Sequence, residues 1–96
     1  MYKINITKPA ENDIISCTKY IAVELQNITP ANNLLDSIEK SIFSLNEMPY
    51  RCPQVSDLIL SNQGLRFIQI ENYLLFYTIR EEIKTVVIQR FFICKT

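Results

Sequence analysis

The sequence has no histidine. A thiol or hydroxyl activated by a neighbouring imidazole is therefore excluded, and a metal site is not expected. It also lacks an excess of charge of either sign, with ten Lys and Arg against ten Asp and Glu. A nucleic-acid binder usually carries a basic surplus, because phosphate neutralisation dominates its affinity. The balance here argues against such a role for the chain as a whole. Cys17, Cys52 and Cys94 are odd in number and contain no CxxC pair. They read as reduced thiols of a cytoplasmic protein, not as a disulfide framework. The start, MYKINITK, has no apolar signal core, and no apolar run approaches the roughly 20 residues of a membrane span. No membrane partner and no cofactor are expected. Low-complexity and disordered stretches are missing too.

The 96 residues amount to one domain spanning 1–96. Such a chain buries only about 60–65% of its unfolded surface, so its stability margin is modest. Charge is unevenly spread. Residues 1–48 hold four Lys against six acids, while residues 49–96 hold four Arg and two Lys against four acids. Tyr2 to Ile6 alternates as a half-buried strand. Thr7 and Pro9 mark a helix start, with Ile14, Thr18, Ile21 and Leu25 at helical spacing and Asn27 at the end. Thr29-Pro30 repeats the signal, and Leu34, Leu35, Ile38, Ile42 and Leu45 form a second stripe closed by Pro49. The helices are joined closely and should pack as an antiparallel pair. Residues 49–64 are irregular, with Leu58 to Leu60 read as a helical turn or an extended edge. Strands are expected at about 65–71, 73–80 and 85–92, joined by tight turns at Glu71-Asn72 and Glu81 to Lys84. The order β-α-α-β-β-β gives an α+β fold, a helical hairpin on one face of a small antiparallel sheet. The other face is left for solvent or a partner.

Several residues stand out against this frame. Arg66 reads either as a contact to phosphate or target, or as an arginine tying down a loop. Arg90 either pairs inside the sheet or points to the uncovered face. Arg80 closes a strand beside Glu81-Glu82, as a solvated hairpin end would. Tyr73, Leu75, Tyr77 and Ile79 share one strand face; Leu74, Phe76, Thr78 and Arg80 share the other. Leu74, Phe76 and Phe67 would form an apolar patch, the usual mark of a partner site. Tyr50-Arg51 has the composition of an interface hot spot, though loops often carry such pairs. Cys17 reads as a buried small hydrophobe.

The stretches "ITKPAENDI", "YIAVEL", "PANNLLDSIEKSIFSLNEMPYRCP", "LILSNQGLRFIQIENYLLFYTI" and "KTVVIQRFF" occur in this order. The sharpest spacing is G-L-R-x-I-x-I-x-N-Y-x-x-F-Y from Gly64 to Tyr77, followed by V-x-I-x-R from Val86 to Arg90. Together they resemble the RelE/ParE toxins of bacterial type II toxin–antitoxin systems, more closely the ParE-like members. The resemblance implies a toxin neutralised by a cognate antitoxin, with operator DNA met only indirectly through that antitoxin. RelE-like members cut mRNA on the ribosome, and ParE-like members poison DNA gyrase. The sheet lysines of RelE-type members fall at Leu65 and Phe67, an arginine falls at Leu74 and the last arginine near Ile93. A ribonuclease here would rely on Arg66, Arg90 and Tyr77 as catalytic candidates, with Arg80 beside them. Target or antitoxin contacts are expected from Tyr50, Arg51, Arg66, Phe67, Leu74, Phe76, Arg80 and Arg90. Gyrase poisoning is the expected action. An mRNA endoribonuclease, or a non-toxic member that only binds antitoxin, are the alternatives.

Overall fold

Two helices pack on one face of a four-stranded mixed sheet. The computed structural model describes residues 1–54 and 64–93. The expected element at Leu58 to Leu60, and Cys94, lie outside the described residues. Strand β1 (Lys3–Ile6) leads into α1 (Lys8–Glu24) and α2 (Ile28–Glu47), then a turn of 3-10 helix at Pro49–Arg51. Strands β2 (Arg66–Ile70), β3 (Tyr73–Arg80) and β4 (Thr85–Ile93) follow, with a second 3-10 turn at Glu81–Ile83. The sheet order is β1-β4-β3-β2.

The sheet is not antiparallel throughout, because β1 pairs parallel to β4 in the register Lys3↔Thr85 to Ile6↔Ile88. Chain direction explains this. Helix α2 returns the chain to the end of the sheet where β1 began, as the Tyr2 N–H donating to the Asn46 carbonyl at 2.9 Å records. Strand β2 therefore starts in the same sense as β1. Two antiparallel pairings, β2 with β3 and β3 with β4, then restore that sense in β4.

The joint between sheet and helices is Thr7. Its N–H donates to the Ile88 carbonyl at 3.2 Å, completing the pairing of β1 with β4. Its hydroxyl lies 2.7 Å from the same carbonyl and accepts from the Ala10 N–H at 3.4 Å, capping α1. The backbone thus passes from strand to helix with its polar groups satisfied. The cap of helix α2 lies two residues ahead of Thr29: it is Asn27, whose Oδ1 accepts from the Thr29 N–H at 3.0 Å.

Helix α1 ends at Glu24, ahead of the expected Asn27. The Asn27 N–H reaches the Ala22 carbonyl and the Gln26 N–H reaches the Val23 carbonyl, both at 3.2 Å. This is a Schellman ending, which needs a left-handed residue. Gln26 supplies it at φ 49°, although glycine would do so with less strain. Leu25, expected on the buried stripe, sits at this ending and is exposed.

The core lies between helices and sheet. Leu34, Ile38 and Leu45 of α2 meet Ile70, Leu75, Tyr77, Val86, Ile88 and Phe91, with Ala10 of α1. Ile14, Cys17 and Ile21 of α1 are only partly buried. Helix α2 is therefore the inner helix of the pair.

Two stability outcomes follow. Thr7→Val removes the helix cap and its contact to β4 while keeping the shape, and should cost about 1–2 kcal/mol. Gln26→Gly relieves left-handed strain but loosens the unfolded chain, so a net gain of up to about 1 kcal/mol is expected. Urea unfolding midpoints of both variants measure these shifts.

Candidate functional site

Strand alternation divides the side chains between two faces. Directly paired residues share a face, so Phe67↔Phe76, Leu74↔Phe92 and Phe76↔Arg90 project together, away from the helices. The pairs Arg66↔Tyr77 and Leu75↔Phe91 project towards them. Register shifts between Phe76 and Tyr77, where Gln89 is the extra residue on β4. This bulge lets both Ile88 and Phe91 face the core although they are three positions apart.

On the helix-free face, Phe67, Phe76 and Phe92 form a row across three strands. Ring centroids are 6.4 Å apart for the first pair and 6.2 Å for the second, with planes tilted by 48° and 60°. An apolar hollow of about 190 Å³ is lined by Leu65, Phe76, Gln89, Arg90 and Phe92. A wider open hollow of about 560 Å³ continues from it, lined by Leu65, Thr78, Ile79, Arg80 and Gln89. The Gln89 amide donates to the Thr78 hydroxyl at 3.0 Å, spanning the floor between β3 and β4.

The two arginines of this face are engaged. Arg80 meets Glu82 at 2.8 Å, an exposed pair at the hairpin end. Arg90 bends over the edge of β4 to α1. Its Nε donates to Asp13 Oδ2 at 2.7 Å and its Nη2 to Oδ1 at 3.1 Å, a two-pronged pairing. Its guanidinium also lies 4.5 Å from the centre of the Phe92 ring. Asp13 Oδ2 accepts from the Phe91 N–H as well, at 3.1 Å. The hydrogen bond from Arg90, foremost, and that backbone N–H hold the Asp13 carboxyl below its ordinary range. The pair covers the β4 edge just beyond the end of β1, where unpaired backbone would otherwise lie bare.

The remaining candidates lie on the other side. Tyr77 is fully enclosed, and its hydroxyl donates to the Pro49 carbonyl at 2.7 Å. Burial pushes its phenol far above the ordinary value. A group so enclosed cannot meet a macromolecule, so Tyr77 is removed as a catalytic candidate. Arg66 faces the helix-bearing side with it: Nη1 donates to the Cys52 carbonyl at 2.6 Å and the guanidinium lies 5.2 Å from the Tyr50 ring centre. It ties the loop to β2, so it is not a cation of the helix-free face. Arg51 donates to the Ser44 hydroxyl at 2.5 Å. Tyr50 is half exposed, and its hydroxyl donates to Glu81 Oε2 at 2.7 Å.

Glu81 gathers a cluster that nothing in the sequence signals. Tyr2 donates to the same Oε2 at 2.8 Å, and Lys84 pairs with Oε1. The ammonium of Lys84 also sits 5.2 Å from the Tyr2 ring centre. The lysine pairing first, then the two phenols, pull the Glu81 carboxyl down to about 2 from 4.5. The same contacts push the phenols of Tyr2 and Tyr50 up. Three segments far apart in sequence are clasped here. Among the described residues, no three His, Cys, Asp or Glu side chains converge as a metal site would require. No helix among them is long and apolar enough to cross a membrane.

The Glu81 cluster has a pH signature. Its folded pKa is lowered, so its contribution is complete above the unfolded value of 4.5 and is lost as pH falls through about 2. A carboxyl NMR titration should find Glu81 among the most acidic groups. The Tyr2→Phe, Tyr50→Phe double variant should titrate at a higher pH, and an unchanged titration would separate the phenols from the shift.

No curated protein sequence matches the chain. A structure of the chromosomal ParDE toxin–antitoxin system of P. aeruginosa superposes with a TM-score of 0.80 at 16% identity, covering 99% of this chain and 98% of that one. A chain of the RelBE2 toxin–antitoxin complex of Mycobacterium tuberculosis superposes with a TM-score of 0.69 at 22% identity, covering 96% of each. At these identities the likeness concerns the fold: a helix pair on a mixed sheet. The model of the ParE toxins of type II toxin–antitoxin systems, parDE, matches residues 4–93, and on that match the chain belongs to the ParE toxin family.

Proposed function

We propose that this toxin is held silent by an antitoxin protein and, when free, arrests growth by binding DNA gyrase, with no bond-breaking chemistry of its own. The antitoxin partner is supported by the family and by the two similar structures, which are those of toxin–antitoxin systems. The action by binding is supported by one observation: the helix-free face offers contact area but no unengaged guanidinium cluster. Metal-independent RNA cleavage of the RelE kind relies on preorganised cations that hold phosphate and stabilise developing charge. The positions where such cations would fall are Leu65, Phe67 and Leu74, with the last near Ile93. Of the arginines expected at the site, Arg90 holds Asp13 and Arg66 is turned to the opposite side, which leaves Arg80, in an exposed pair with Glu82, as a single cation and not a cluster. The aromatic row and its hollow are suited to docking against another macromolecule.

The test is expression of the chain alone in a bacterial host, with growth, DNA-damage response and bulk translation followed together. Growth arrest with a DNA-damage response and translation still running is expected. Immediate translational arrest with cut messages would overturn the gyrase reading in favour of RNA cleavage. Unimpaired growth would leave a chain that binds antitoxin without being toxic.

A further inference from the structure

We infer that the segment of the antitoxin that covers the helix-free face is acidic and enters the Leu65–Phe76–Phe92 hollow with a single leucine-sized side chain. This rests on the reading above that an antitoxin is the silencing partner, and it specifies the chemistry of that partner.

Size comes first. The apolar hollow holds about 190 Å³, below the roughly 300–1,000 Å³ of sites that enclose drug-sized ligands. It accommodates one apolar side chain of a larger partner, the anchor pattern of protein interfaces. The adjoining hollow is lined by Arg80, and by Thr78 and Gln89, whose side chains are hydrogen-bonded to each other.

Charge comes second. The helical stretch, residues 8–47, holds three lysines against six acids, and the rest of the chain holds seven Lys and Arg against four acids. The neutral total hides a molecule divided into an acidic layer and a basic remainder. Among the described residues, the charged side chains at helix-free strand positions are Lys3, Arg80 and Arg90, all cationic. Glu82 lies against Arg80 from the turn, but both side chains are more than half exposed, so a carboxylate from a partner can replace it at little cost. Arg90 is matched by Asp13, so Lys3 and Arg80 draw an acidic segment to this face while the helices repel it.

Geometry separates a protein segment from a single-stranded nucleic acid, which would also be acidic. Bases stack on flat exposed rings. Here the rings stand at 48° and 60° to one another, so they present no common flat face. Arg90 covers Phe92 and keeps both carboxylate oxygens of Asp13. Among the described residues, this leaves a small apolar hole beside one weakly committed arginine. That combination recognises a peptide anchor and carboxylate better than a base and phosphate.

The experiment is an amide NMR titration of the isotope-labelled full chain with three probes. These are a synthetic peptide with leucine flanked by glutamates, the same peptide with lysines, and a short single-stranded RNA. Expected are shifts at Phe76, Thr78, Gln89 and Phe92 with the glutamate peptide alone. Arg80→Glu should weaken that binding by about tenfold or more, as a like-charge contact would. Its spectrum away from the hairpin end should stay unchanged, which verifies the fold. Shifts confined to the helices, preference for the RNA, or indifference to Arg80→Glu would each overturn the inference. The growth assay reads toxicity separately. A toxic chain that prefers RNA in the titration sinks the inference and leaves the toxin reading standing; a harmless chain sinks that reading while the titration still decides this one.

Discussion

Strand β1 is four residues long and β4 is nine, and the molecule is organised around that mismatch. Parallel pairing uses up the β4 edge only as far as Ile88. Thr7 ends the pairing there and caps α1 with the same hydroxyl, so the helix starts against the sheet at a fixed point. From that point α1 runs along the uncovered part of β4, which brings Asp13 level with Phe91. The carboxylate then finishes what β1 leaves undone, taking a backbone N–H and a guanidinium together. A partly buried carboxylate with three N–H donors is a firm contact, whereas an isolated surface ion pair contributes little. Arg90 is committed to the edge by this geometry. A sheet edge left bare beside an apolar face would invite association with other chains.

The second joint faces the other way. The turn after α2 is fastened from beneath by Tyr77, from the side by Arg66 and from above by Glu81 through Tyr50. Each fastening uses a residue type that is often reserved for binding or chemistry. Their use here has a physical reason. A 96-residue chain has little core to spare. The turn offers the carbonyls of Pro49 and Cys52, which lack ladder partners and need donors. Phenol and guanidinium reach them across the sheet end and bury apolar bulk on the way. Tyr77 and Arg66 are thereby spent on holding the loop.

Much of this was legible in the sequence. Apolar spacing marked both helices, alternation marked the last three strands, and the Gly64 to Tyr77 and Val86 to Arg90 patterns carried the family resemblance. Simple alternation also had more to give. Arg66 and Phe67 are neighbours, so a strand cannot project both from one face. The same holds for Phe76 and Tyr77. The alternation read from Tyr73 to Arg80 already separated Tyr77 from Phe76, whereas Arg66 and Phe67, both expected as target or antitoxin contacts, lie on opposite faces. Arg90 was harder, because the bulge at Gln89 breaks the count between Ile88 and Phe91. The Asp13–Arg90 and Tyr2–Glu81 contacts join residues 77 and 79 positions apart. No local pattern encodes them; they follow from chain direction, which also made β1 parallel. Nor do Gln26, Glu71 and Lys84 announce their left-handed backbones, since each is a residue that seldom adopts one.

What the two joints leave over is the helix-free face. Phe67, Phe76 and Phe92 gain little from the fold beyond one another, and Phe92 remains 43% exposed. Phe67 and Phe76 are half-buried, so the area still open to water on this face is chiefly that of Phe92, and that part adds nothing to folding stability. The same area becomes favourable once another surface covers it. Apolar contact is also non-directional, so a single face can accept surfaces of different detailed shape. On the proposed reading this is the useful property. One patch must be covered by antitoxin and later by target, and the two cannot be present together. Exclusion then needs no moving part in the toxin: the better-bound partner holds the face, and loss of that partner exposes it.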